Sequence, residues 1–174
     1  MAYAGICDDQ NLQYHSDDFF HAISIAQIKA FIETGTGSSC GTVTGAVNNV
    51  PTVDAGDDYT IPAHTPFMLS GNASDSDSQN LSYSWQQFDL GSPSSSLMEQ
   101  VDDGSRPLFR AFLPSNETTR YFPKLSDVLN NTSSAGESLP TTDRALNFRL
   151  MVSDHDGGTI FDDVKLTVVD TGQV

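Results

Sequence analysis

The chain has 174 residues, 37% of them apolar, and sets 23 acids against 8 bases for a formal net charge of −15. That length suits one large domain, or one domain with extra material, and is enough to bury a true core. The charge argues against nucleic acid and anionic membrane as partners, and no run of about 18 apolar residues could span a bilayer.

Of the 23 acids, 19 are Asp. Asp favours turns, caps and cation sites where Glu favours helices, so the chain reads as loop-rich and all-β. The N-terminus lacks the basic and apolar regions of a signal peptide, so the export signal of a secreted protein is expected upstream of Met1. Cys7 and Cys40 form an even pair without C-x-x-C spacing. A disulfide closing the segment between them would contribute ~3 kcal/mol and imply an oxidising compartment. The alternative is two buried free thiols.

Residues 1–40 carry the one convincing helix. Ser24 suits an N-cap, Ile25, Ile28, Phe31 and Ile32 share one face, and Gly35 suits the stop. This segment cannot bury its apolar residues alone, so it packs on the later domain or on something else. Residues 41–48 continue a Gly/Ser/Thr-rich stretch that reads as a linker. From residue 49 to 170 the pattern is β: PTVDAG, PFMLSGNAS, LSYSWQQF, RPLFRAFLP and TTRYFPKL, then a terminal hairpin ALNFRLMVSD–DGG–TIFDDVKLTVVD. Short strands spaced by turn signals predict an antiparallel β-sandwich. The stretch 89–144 fits least well, and KLSDVL within it reads as a helical turn.

Asp54, Asp57 and Asp58 mark a kink in the first strand, and Asp102-Asp103-Gly104 reads as a turn. Asp162 and Asp163 suit an edge strand, where charge discourages association. No G-x-S-x-G and no Gly-rich phosphate loop occurs. N-x-S/T triplets at Asn72, Asn80, Asn116, Asn130 and Asn131 would be glycan acceptors in a eukaryotic secreted protein and by-products of an Asn/Ser/Thr-rich surface in a bacterial one, and the second reading is preferred. Tyr59, Tyr83, Phe88 and Tyr121 could form a carbohydrate- or protein-binding strip, or belong to the core.

Four motifs occur in order: NNVPTVDAG, the loop SGNASDSDS, the strand YSW and the turn VSDHDGG. Together they resemble the PKD/cadherin-like group of immunoglobulin-type sandwiches. The first residues, MAYAGIC, resemble the Met-turn of metzincin zinc peptidases, with Met1 as the turn methionine. The helix and cysteine that follow resemble the end of a reprolysin-like catalytic domain. The metzincin zinc motif H-E-x-x-H is absent, and no pair among His15, His21, His64 and His155 has its spacing. This chain is therefore expected to hold no zinc and to have no peptidase activity of its own.

The PKD resemblance implies calcium, held by Asn49, Asp75 and Asp77, with Asp154 and Asp156 as second choices. In an immunoglobulin-type topology these loops meet at one pole of the sandwich. The competing reading is that the same residues close Asx turns on their own backbone. The whole implies a secreted, monomeric, non-catalytic accessory module, acting as spacer, stabiliser or substrate- or surface-binding part of a bacterial zinc metallopeptidase. Its partners would be the upstream catalytic domain and a protein or polysaccharide surface. The alternative is a free-standing adhesion or carbohydrate-binding module.

Overall fold

The computed structural model describes residues 4–8, 11–42, 44–45, 48–78, 80–91 and 101–172. Met1, the expected Met-turn methionine, lies outside them. Eight strands dominate: β1 (Thr52–Asp54), β2 (Tyr59–Pro62), β3 (Phe67–Ser70), β4 (Asn72–Ser74), β5 (Ser82–Gln87), β6 (Thr119–Phe122), β7 (Arg144–Ser153) and β8 (Thr159–Val169). Among the described residues the fold is all-β with two α-helices, α1 (Ala22–Glu33) and α2 (Leu125–Asn130, in the expected KLSDVL turn).

One sheet has the order β2-β8-β7-β5, and β1 pairs with β4 and β3 with β6. The expectation of a wholly antiparallel fold is corrected at one place: β2 runs parallel to β8, with Tyr59 opposite Leu166. The cause is the break at 55–58. Gly56, at φ +83, gives its N–H to Asp54 Oδ1, so the chain leaves the β1–β4 pair and joins the other sheet instead of continuing as one strand.

The long hairpin β7–β8 has the period-2 burial that its sequence announces: Leu146, Phe148, Leu150 and Val152 point inward, as do Val164, Leu166 and Val168. They meet Trp85, Ile61, Phe67, Leu69 and Phe122 in one core. At its centre four rings, Phe67, Phe109, Phe122 and Phe148, pack with centroids 4.7–6.1 Å apart. Each such side chain contributes ~1.5–3 kcal/mol by leaving water. Trp85 adds an indole N–H donated to Thr118 O at 2.9 Å.

The stretch expected as the strand RPLFRAFLP has no regular ladder. It crosses as irregular chain that drops Leu108 and Phe109 into the core. Their backbone N–H groups go to the buried Gln87 Oε1, at 2.7 and 2.9 Å, in place of a strand partner. Asp162 and Asp163 lie on the part of β8 that pairs with β7 alone, because β2 joins β8 only from Leu166 onward, so this stretch is a local edge within a strand that is central further on. There Asp162 Oδ2 accepts the Ala55 N–H at 2.7 Å, and Asp163 pairs with Arg149 at 2.6 Å.

Helix α1 meets the outer face of the larger sheet through Ala22 and Lys29. Alternation along β5 and β7 sends Ser84, Gln86 and Met151 outward, yet all three are buried. Ala22 N–H donates to Gln86 Oε1 at 2.8 Å, and Lys29 Nζ reaches Thr159 O at 3.3 Å. The helix starts three residues earlier than Ser24 predicts: His21 is the N-cap, and its Nδ1 accepts from Ile23 N. Only Ala22 is fully buried in α1. Phe31 and Ile32, on the apolar face that the spacing marks, are 55% and 54% exposed.

The Cys7–Cys40 bridge is not present, and both cysteines are free and exposed. Each is held by its own turn. Cys7 N–H goes to Asn11 Oδ1, and Cys40 closes the 3₁₀ turn Thr36–Ser39 through its N–H to Gly37 O. Spacing alone does not dictate a bridge, which needs two β-carbons brought together in space.

Candidate functional site

Three turns meet at one end of the fold: the approach to β1, the β4–β5 loop and the β7–β8 turn. Asn48 Nδ2 donates to Asp154 Oδ2 at 2.7 Å. Asn49 donates twice to Asp77 Oδ2, from its backbone N–H and its Nδ2, each at 2.9 Å. Ser78 Oγ links the second turn to the third through Asp154 O. Both acidic loops also close on themselves as Asx turns. Asp77 N–H goes to Asp75 Oδ1 at 3.0 Å, and Asp156 N–H to Asp154 Oδ1 at 2.8 Å.

The carboxylates differ in what they have left to offer. Asp154 is 0% exposed. Its Oδ1 accepts from Asp156 N and Gly158 N, and its Oδ2 from Asn48. Burial pushes its carboxyl up, but these hydrogen bonds outweigh burial and hold it below the usual range. Asp77 is also held low, first by the Asn49 backbone N–H. Asp75 is different. Its Oδ1 takes Asp77 N–H and Ser78 N–H, while Oδ2 is buried with no partner among the described residues. Asp156 is exposed, and no donor among the described residues reaches its carboxylate.

Asp75, Asp77 and the side-chain carbonyl of Asn49 therefore fit an oxygen-seeking cation in charge and donor type. Asp154 does not: its oxygens already serve three N–H donors. Among the described residues no three His, Cys, Asp or Glu side chains converge as a metal-holding group. Asn48 and Ser78 knit the turns together, although sequence reading assigns neither of them a ligand role. The Asn-Asn start of the module carried the signal, with only the second Asn taken up.

The four aromatics do not form one strip. Tyr121 is the register partner of Met68, whose carbonyl accepts the Tyr59 hydroxyl at 3.1 Å. Phe88 lies under Arg149, 3.9 Å from its guanidinium carbon, on the larger sheet. Tyr83 pairs with Ser115 and lines a cleft of about 330 Å³ beside the acidic turns. His21, whose imidazole is lowered by burial, caps α1, and His15, His64 and His155 are exposed.

The chain matches no protein-family model and no curated protein.

Proposed function

We propose that the chain is a non-catalytic accessory module with a PKD/immunoglobulin-like sandwich, the spacer and surface-binding part of a secreted bacterial zinc metallopeptidase. Residues 1–40 would be the tail of the catalytic domain. One observation carries the reading. Every residue of the core cluster lies between Val53 and Val168, so the central core closes without the N-terminal segment, which bonds to the outer face of the larger sheet at Gln86. That segment meanwhile leaves Ile28, Phe31 and Ile32 of α1 uncovered. An apolar stripe of this kind in a soluble chain marks a surface that another body covers. The preceding catalytic domain is the occupant that the Met-turn resemblance implies.

Two results test this. Residues 48–172 expressed alone, which keep the Asn48 bond to Asp154, are expected to unfold in one cooperative step, within a few degrees of the full chain, and to lose the full chain's binding of an apolar dye. Failure of that piece to fold would make the N-terminal segment integral and remove the reading. Coding sequence upstream of the Met1 codon is expected to encode H-E-x-x-H with a third histidine. Its absence would favour the second reading, a free-standing adhesion or carbohydrate-binding module, which the cleft beside Asp75 supports.

Calcium at the acidic pole belongs to the same proposal, as a rigidifying ion on Asp75, Asp77 and Asn49. The unpartnered Oδ2 of Asp75 supports it. Saturating millimolar calcium is expected to raise the unfolding midpoint by about 5–10 °C over EDTA. The double variant Asp75→Asn with Asp77→Asn should lose that rise. An unchanged wild-type midpoint removes calcium, because an ion that binds only the folded state must stabilise it.

A further inference from the structure

The cleft beside the pole combines features that neither the core nor the acidic turns need. Leu81 and Tyr83 give it an apolar and aromatic lining, and Asp75, Asn80 and Asn116 a polar one. Paired backbone hydrogen bonds, Tyr83 N–H to Ser115 O at 2.7 Å and Ser115 N–H to Tyr83 O at 3.0 Å, fix Asn116 beside the tyrosine. The carboxylate of Asp75 is fixed by two N–H bonds on Oδ1, and its Oδ2 stays buried and unpartnered. Buried acceptors in native proteins are nearly always satisfied, and the calcium proposed above would satisfy this one, which leaves the rest of the lining to a ligand. The amides of Asn80 and Asn116 and the hydroxyl of Tyr83 are likewise unengaged among the described residues.

We infer that this cleft is a saccharide subsite that takes one neutral sugar ring of a glycan or polysaccharide. This deepens the surface-binding part of the proposal above. The chemistry selects the ligand in three steps. An anion is repelled by Asp75 and by the chain's net charge of −15. The calcium proposed above sits on the Asp75–Asp77–Asn49 side, and the rest of the lining carries no ionised side chain to hold a second cation. A neutral ring presents hydroxyls, each both donor and acceptor, and an amide is both as well. Its oxygens receive the Asn80 and Asn116 amide N–H groups, its hydroxyl protons go to the amide carbonyls of the same two residues, and its C–H face lies on Tyr83. A volume of about 330 Å³ is at the small end of ligand sites, roughly 300–1,000 Å³, which suits one ring and not a buried chain.

The test titrates the full chain with cellohexaose, chitohexaose and mannohexaose in calcium-free buffer, followed by tyrosine and tryptophan fluorescence and by NMR shifts. At least one is expected to bind with a millimolar or tighter Kd and to shift resonances of residues 74–83 and 115–117. Asn116→Ala and Asn80→Ala alter exposed side chains, so their unfolding midpoints should match wild type while affinity drops about tenfold each. Binding by none of the three sugars overturns the inference, and so does binding that both variants leave unchanged. The outcome separates from that of the protease reading. Sugar binding without an upstream zinc motif leaves the subsite standing alone, and an upstream zinc motif without sugar binding removes only the subsite.

Discussion

Glu137→Ala is expected to destabilise the chain by about 3–5 kcal/mol, read as a fall in the urea midpoint at unchanged m-value. Glu137 is 3% exposed, and its Oε1 meets Arg120 Nη2 at 2.7 Å. The guanidinium also donates to Trp85 O and Arg110 O, each at 2.7 Å, and lies 4.4 Å above the Phe122 ring. Glu137 Oε2 accepts the Lys124 N–H at 2.9 Å. The pair thus ties β6 and the start of α2 to the irregular chain around residue 110. Burial pulls Arg120 down to about 10 and pushes Glu137 up, and in each the mutual attraction offsets only part of the shift.

The signs of these shifts say what the pair does. A carboxyl raised in the folded state binds its proton more readily there, so its contribution favours folding in acid and weakens as pH rises through the folded value. A guanidinium lowered by burial likewise contributes least at neutral pH and more above about 10. Near pH 7 the pair fixes one arrangement more than it adds stability. Removing one partner leaves the other as a buried uncompensated charge, which is the source of the large loss. Arg120→Met with Glu137→Leu should recover to within about 1 kcal/mol of wild type. An unchanged midpoint for Glu137→Ala alone would show that water reaches the pair in solution.

The same chemistry explains why residues 89–144 resisted reading from sequence. Arg144 and Asp102 form a second pair at 2.5 Å, both side chains 1% exposed, and Asp102 Oδ2 also takes the Thr141 N–H at 2.8 Å. Asp102-Asp103-Gly104 was legible as a turn, since Gly104 N–H does bond Asp102 Oδ1. Its tie to a residue 42 positions away was not, because no local period encodes it. The strands at 82–87, 144–153 and 159–169 were legible because alternation is local. The helix was legible for the same reason, but not the burial of its face. That depends on which surface lies opposite, and here only Ala22 reaches one. The local edge at Asp162 was legible from its charge, but not that β2 covers the same strand from Leu166 onward, a pairing set by the break at Gly56. The meeting of three turns at one pole followed from topology, whereas the engagement of Asp154 by three donors could be seen only with the backbone in place.

Asp154→Ala is expected to cost about 3–5 kcal/mol, as much as the loss at Glu137 and by the opposite route. Its carboxylate is an acceptor already satisfied by Asn48 Nδ2, Asp156 N–H and Gly158 N–H, so truncation leaves three donors without partners. Gly158→Ala attacks the same contact from the other side, since a β-carbon there would collide with Asp154 Oδ2 and lie 3.0 Å from Pro51 Cδ. Asp154 is held below its ordinary value, so the sign is that of a depressed carboxylate. Its stabilisation is fully present above the unfolded pKa of ~3.9 and is lost as pH falls through the lower folded value. Wild type should therefore lose stability in acid more steeply than Asp154→Ala, and the two should converge as Asp154 protonates. The variant also decides the role of Asp154 at the pole. If calcium sits on Asp75, Asp77 and Asn49 alone, Asp154→Ala lowers the midpoint equally in EDTA and in calcium, and the calcium-induced rise survives. If the rise disappears with Asp154, that residue is a ligand, and its hydrogen bonds from Asn48 and Gly158 must rearrange when the ion enters.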